Sequence, residues 1–146
     1  MGGMTQIKDS AIITVPSHPQ YLSVVRAVTA RMGDLNGFDD GVIEHLKLAV
    51  DEACSNVIKY AYKGDTEKKI IVKFKTTKKG FEVIIEDSGI KAAPDSMKGR
   101  SLDDIRPGGL GMHFIRRAFD VFEFDEKKKK GNRIRLVRFV KEKHED

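Results

Sequence analysis

The sequence predicts an α+β fold, a two-layer sandwich with helices on one face of a mixed, mostly antiparallel sheet. Three observations lead there. Two long stretches carry apolar residues in steps of three and four, as amphipathic helices do. About five short stretches read as strands. Neighbouring strands are joined by turns as brief as "KKG" (78–80), which favours antiparallel pairing. With 146 residues, no internal repeat and no interdomain linker, the chain is expected to form a single domain over 1–146, with 1–10 flexible.

The elements follow in order. "AIITV" (11–15) is a strand closed by Pro16. In "HPQYLSVVRAVTARMGDLNG" (18–37), Leu22, Val25, Val28 and Met32 have helical spacing, and Gly33 and Gly37 are stop signals. Asp39 or Asp40 then caps a longer helix, whose apolar positions Val42, Leu46, Ala49, Val50, Ala53, Val57 and Ala61 lead to Gly64. "KIIVKFKTT" (69–77) and "FEVIIED" (81–87) form a hairpin with Phe81, Val83 and Ile85 on one face. Residues 90–107, with two prolines and a glycine, make a connection long enough to suggest a functional loop or a disordered one. "GGLGMHFIRRAFDVF" (108–122) is a glycine-rich turn opening a helix, and "VFEFDE" with "NRIRLVRFV" forms a closing hairpin around Lys-Gly.

Composition excludes several classes. Apolar content is ordinary at 40% and charged content high at 34%, as in a soluble globular protein. No apolar run approaches bilayer length, no secretory leader is recognisable, and Gln6 breaks the N-myristoylation pattern, so no membrane partner is expected. Cys54 is the sole cysteine, which rules out a disulfide framework and suggests a cytoplasmic setting. The net charge of +5 comes largely from "EKKKKGNR" (126–133) and "TTKKG" (76–80). Both read as solvated turns without interleaved aromatics, so direct nucleic-acid binding is not expected.

Three polar features carry the functional signal. In "DEACSNVIKY" (51–60), Glu52 and Asn56 lie four residues apart and share a helix face. They are either solvated or chemical: a carboxamide oxygen suits Mg²⁺, and a carboxylate beside it can accept a proton. In "EDSGI" (86–90), Asp87 and Gly89 end a strand. This is either a plain turn or an acceptor for the exocyclic amine of a base, with Gly89 letting the ring approach the backbone. In "RPGGLGMHF" (106–114), Gly108, Gly109 and Gly111 lead into a helix, where backbone amides can face an anion. The stretch is not a P-loop, since it lacks Gly-Lys-Ser/Thr, and no parallel βαβ unit makes it a dinucleotide fingerprint.

The order of these features resembles the N, G1 and G2 boxes of the GHKL ATPase superfamily. Within it, "LKLAVDEACSNVIKYAYKG" (46–64), "PGGLGMHFIRRAFD" (107–120) and "PSHPQYLSVVRAVTARMG" (16–33) resemble the short anti-sigma-factor serine kinases of bacterial partner-switching systems. The resemblance implies a Bergerat fold that binds ATP and Mg²⁺ under a lid at 90–107. It matches Asn56 to the magnesium ligand, Glu52 to the general base, Lys59 to a phosphate contact and Asp87, with Gly89 beside it, to the adenine reader. Gly109, Leu110, Gly111 and Met112 match the phosphate-wrapping turn, and Arg26 a partner-binding position.

The implied activity is phosphorylation of an antagonist (anti-anti-sigma) protein by a homodimeric kinase that also sequesters a sigma factor. A nucleotide-gated binding module without kinase activity, acting on a non-sigma partner, is the alternative. The chain departs from the pattern at Tyr60, where many relatives have histidine, and at Lys91, where a fuller G1 box has a second glycine. It departs again at Gly131-Asn132, in place of Gly-Thr, where the Asn132 carboxamide could replace the missing hydroxyl's hydrogen bond.

Overall fold

The computed structural model describes residues 10–91 and 112–140. In chain order these form β1 (Ser10–Pro16), α1 (Leu22–Leu35), α2 (Asp40–Asn56), β2 (Lys69–Thr76), β3 (Gly80–Asp87), α3 (Met112–Ala118), β4 (Val121–Phe124) and β5 (Asn132–Phe139). The strands make one five-stranded sheet in the order β1-β2-β3-β5-β4, and all four pairings are antiparallel. The α+β class is therefore as expected, with no parallel pairing among the described residues. Within the chain, β5 inserts between β3 and β4, so β3 lies at the centre of the sheet and its C-terminal end opens beside the start of β5.

Local chemistry sets each boundary. Pro19 opens a short 3₁₀ turn, Pro19–Tyr21, which His18 caps by accepting the Gln20 N–H on Nδ1. In α1, Leu22, Val25, Thr29 and Met32 are buried, and Thr29 satisfies its hydroxyl on the Val25 carbonyl at 2.7 Å. The end of α1 is tied down by Asn36, whose Nδ2 donates to Met32 O while its Oδ1 accepts from Thr76 Oγ1 on β2. Gly37 follows in the left-handed region at φ +80°. The cap of α2 is Asp39, whose Oδ1 accepts the Val42 N–H at 2.9 Å.

The period-two pattern of the strands divides the sheet into two faces. On the inner face Phe74, Val83 and Leu136 lie opposite one another in register, as do Val72, Ile85 and Ile134. Phe74 stacks on Phe81 with ring centroids 6.3 Å apart. Leu46, Ala49, Val50, Ala53 and Cys54 of α2 bury against this layer, and α2 packs between α1 and α3. The alanines and Cys54 keep α2 thin where it is crowded from several sides. Burying each large side chain in this layer contributes about 1.5–3 kcal/mol.

The outer face is charged and largely self-neutralised. Glu86 pairs with Lys73 at 3.1 Å and Arg133 at 3.3 Å, and Arg135 bridges Glu82 and Glu123. The arginines and Lys73 remain partly exposed, so water screens these pairs and limits the stability they add. They do absorb much of the positive charge of β5, which weakens any nucleic-acid reading of the net charge.

Candidate functional site

The α-helix expected to run unbroken towards Gly64 instead changes character at Asn56. From Val57 to Ala61 the backbone widens to a π-turn, closed by Tyr62 N–H donating to the Val57 carbonyl at 2.9 Å. Single π-turns often mark functional sites, because the widened turn frees backbone groups for other partners. The Ala61 carbonyl, at the end of this turn where no intrahelical partner follows, accepts the Ile90 N–H at 2.8 Å. Lys63, at φ +52°, and Gly64, at φ +83°, then turn the chain towards β2.

That bond requires close approach. A Cβ on Gly89 would lie 2.3 Å from the Ala61 oxygen and 2.8 Å from the Ala61 Cβ. The absence of a side chain on Gly89 is what lets Ala61 approach so closely. Tyr62 reinforces the junction. Its buried hydroxyl donates to the Lys69 carbonyl and accepts the Ser88 N–H at 2.8 Å. Sequence reasoning missed Tyr62, and no local pattern singles it out.

Asp87 ends β3 and is 6% exposed. Its Oδ1 accepts the Gly89 N–H and the Asn132 Nδ2–H, both at 2.9 Å. Burial raises its pKa above the usual carboxylate value, against the lowering effects of the Gly89 N–H, the Asn132 carboxamide and backbone N–H, and the Lys128 charge. Gly131 makes this arrangement possible: at φ +75° it lies so close to β3 that a Cβ would sit 2.0 Å from the Asp87 carbonyl oxygen. The Asn132 carboxamide also donates to Ile90 O at 2.9 Å, a second bond that the sequence did not foretell.

On α2, Asn56 is half-buried, and its Oδ1 is sealed from solvent without a hydrogen-bond partner among the described residues. A buried carbonyl oxygen left unpaired costs about 1–3 kcal/mol, so it needs a reason. Glu52, also half-buried one turn earlier, has no ion pair or hydrogen bond among the described residues. Its neighbour Asp51 pairs with Arg26 Nη1 of α1 at 2.5 Å. No group of three or more His, Cys, Asp or Glu able to hold a metal occurs among the described residues. The donor set fits a hard cation held by one carboxamide and otherwise by substrate oxygens, as Mg²⁺ prefers.

The remaining expectations fall as follows. Lys59 is exposed on the π-turn. Met112 begins α3 with its side chain in the hydrophobic core, so only its backbone is available to an anion. Gly109, Leu110, Gly111 and residues 92–107 of the expected lid lie outside the described residues. Arg26 is partly exposed and held against α2 by Asp51. Cys54 is buried, and its thiol is pushed up to about 12, chiefly by burial and then by the Asp51 charge. His113 is exposed beside Arg116. No helix among the described residues is long and apolar enough to cross a membrane.

Helices on one face of this sheet, with an aspartate ending its central strand and the residues after it joined to the π-turn beyond α2, fit the ATP-binding domain shared by histidine kinases and their relatives. The chain belongs to this family: residues 15–138 match the histidine kinase-like ATPase domain. Among curated proteins it is similar to the serine-protein kinase RsbW of Bacillus licheniformis, at 29% identity over 80% of this chain and 78% of the relative. It is similar also to the serine-protein kinase RsbW of Listeria innocua, at 28% identity over 96% of this chain and 93% of the relative. Among solved structures, the histidine kinase domain from the blue-light activated histidine kinase of Erythrobacter litoralis EL346 aligns with a TM-score of 0.51 and 13% identity. That alignment covers 92% of this chain and 66% of the other, and it supports the fold alone.

Proposed function

We propose that this chain is an ATP-dependent protein-serine kinase that phosphorylates an anti-anti-sigma protein and sequesters a sigma factor. The observation that carries the reading is the buried, unpartnered Asn56 Oδ1 one turn from Glu52, a carboxylate with no ion pair or hydrogen bond among the described residues. The similarity to the RsbW serine-protein kinases supports the choice of serine as acceptor.

Each residue then has a task. Asp87 accepts a hydrogen bond from the exocyclic amine of adenine. Asn56 holds Mg²⁺, which supplies charge neutralisation at the phosphates when bound. Glu52 accepts the proton of the incoming serine hydroxyl as its oxygen bonds to the γ-phosphorus and the bond to the β-phosphate oxygen breaks, leaving ADP. Lys59 is the exposed cation nearest to Asn56 in sequence, and the resemblance assigns the phosphates to Gly109, Leu110, Gly111 and Met112. Arg26, fixed by Asp51, presents a guanidinium to the protein partners, and the kinase works as a cytoplasmic homodimer. Phosphorylation expels the antagonist through the charge of the new dianion.

The test is phosphate transfer from radiolabelled ATP, with Mg²⁺, to a purified candidate anti-anti-sigma protein encoded beside this chain, with the acceptor serine mapped by mass spectrometry. Label on a serine that disappears with Glu52→Ala supports the kinase. Tight nucleotide binding without transfer leaves the nucleotide-gated module as the surviving reading.

A further inference from the structure

The register of β3 and β5 ends at the pair Asp87 and Asn132, but the two segments stay together beyond it. Continued by four residues on each side, the same register sets Lys91 opposite Lys128. No backbone hydrogen bond joins residues 88–91 to residues 128–131 among the described residues. Side chains join them instead. Next to the strands, the Asn132 carboxamide donates to the Ile90 carbonyl at 2.9 Å. At the far end, the Lys91 ammonium donates to the Lys128 carbonyl. Like charges set directly opposite one another repel. Here the ammonium of one lysine meets the main-chain oxygen of the other.

Burial separates this pair from the rest of the basic turn. Lys127, Lys129 and Lys130 are exposed, as in a solvated turn, whereas Lys91 and Lys128 are both half-buried. The turn is also fixed where it leaves β4. Asp125 donates its N–H to the Arg133 carbonyl, and its Oδ1 accepts the Lys127 N–H, both at 2.9 Å. At its other end Gly131, at φ +75°, packs against the Asp87 carbonyl and the Ser88 Cα. Lys91 holds the middle of the turn to the segment that follows β3. A glycine at this position, as in a fuller G1 box, could not make that bond.

We propose that Lys91 is a positioning residue that latches the β4–β5 turn to the segment after Asp87, and so sets how fast nucleotide enters and leaves the site. This rests on the reading of Asp87 as the base-contacting residue, since a base that reaches it approaches beside the turn that Lys91 holds. The Lys91 bond is the outermost of the side-chain links. It breaks first when the turn lifts, with Gly131 and Asn132 as the hinge. The latch joins two parts of the chain and favours the closed turn with or without nucleotide. It therefore slows entry and release alike, and an influence equal on both states leaves Kd unchanged. A hydrogen bond from a charged donor shifts such an open–closed equilibrium by about tenfold or more.

The test follows association and release of ADP carrying an N-methylanthraniloyl group on its ribose, with Mg²⁺, by stopped-flow fluorescence. Calorimetry gives the Kd for plain ADP. Lys91→Met keeps the apolar stem and loses the donor, whereas Lys91→Arg keeps a charged donor. Lys91→Met is expected to speed association and release together by about tenfold, with Kd within about threefold of wild type. Its Tm should stay within about 4 °C of wild type, because only one half-exposed link is lost. Lys91→Arg should keep both rates within about threefold of wild type. Release from Lys91→Met at the wild-type rate overturns the proposal. Faster release at an unchanged association rate, with Kd weakened to match, makes Lys91 a nucleotide contact and also overturns it. Equal acceleration by Lys91→Arg does the same, since the donor is then not what matters. Wild type that binds no ADP overturns the nucleotide reading of the site, and this inference with it.

Discussion

The backbone N–H of Ile90 donates to the carbonyl of Ala61 at 2.8 Å, joining the segment that follows β3 to the π-turn that ends α2. Together with the Tyr62 hydroxyl that accepts the Ser88 N–H, this bond ties the strand end bearing Asp87 to the helix bearing Glu52 and Asn56. It depends on Gly89, because any Cβ there would overlap the Ala61 carbonyl. Gly89→Ala is expected to destabilise the fold by about 2–4 kcal/mol or to force the junction open. Chemical denaturation checks the first outcome. The second would appear as a weakened nucleotide affinity in a variant of near-normal stability.

Asp87→Asn separates stability from binding. Burial holds this carboxyl's pKa above its ordinary value. A group whose pKa is higher folded than unfolded takes up a proton on folding, so its contribution is full below the unfolded value and is lost as pH rises through the folded one. An asparagine keeps the Oδ1 acceptor for Gly89 and Asn132 without the buried charge. Tm near neutral pH is therefore expected to equal or exceed that of wild type, while ADP affinity falls by about 100-fold or more because a donor now faces the amine. In wild type, binding should weaken as pH falls through the Asp87 pKa. Thermal scans and calorimetry across pH check both.

Glu52→Gln keeps the shape of the side chain and removes its basicity. Phosphate transfer is expected to fall by about 10²–10⁴-fold, with the Kd for ATP within about threefold of wild type. Quench-flow measurement of phosphoserine, alongside equilibrium titration, separates the two. A parallel loss of ATP binding would place Glu52 in nucleotide binding instead of proton transfer.

Cys54 is buried in the core, with its thiol pushed up to about 12. It should resist a thiol-specific disulfide reagent at pH 8 in the native protein and react at once in denaturant. Fast native labelling would show that α2 opens readily.

How far the site could be read beforehand depends on what kind of signal each part leaves. Glu52 and Asn56 were legible because a helix converts a four-residue spacing into a shared face. Phe81, Val83 and Ile85 were legible because a strand alternates, and they do bury together. The π-turn was not legible, since the apolar steps through Val57 and Ala61 read the same in either helix type. Tyr62 and the second bond of Asn132 were hidden for a similar reason: both are contacts over more than 25 residues in sequence, to backbone groups that every residue carries. The replacement of a hydroxyl by the Asn132 carboxamide beside Asp87 could be anticipated because the departure itself was visible.

The central claim is that Asn56 completes a Mg²⁺-nucleotide site, and ATP titration with and without Mg²⁺ on wild type and Asn56→Ala tests it most directly. Because Asn56 Oδ1 has no partner among the described residues, the substitution should leave Tm within about 4 °C of wild type. The account predicts that Mg²⁺ strengthens ATP binding to wild type by about tenfold or more and leaves binding to the variant unchanged. A folded variant that keeps the full Mg²⁺ enhancement, or a folded wild type that fails to bind at millimolar ATP, would contradict it.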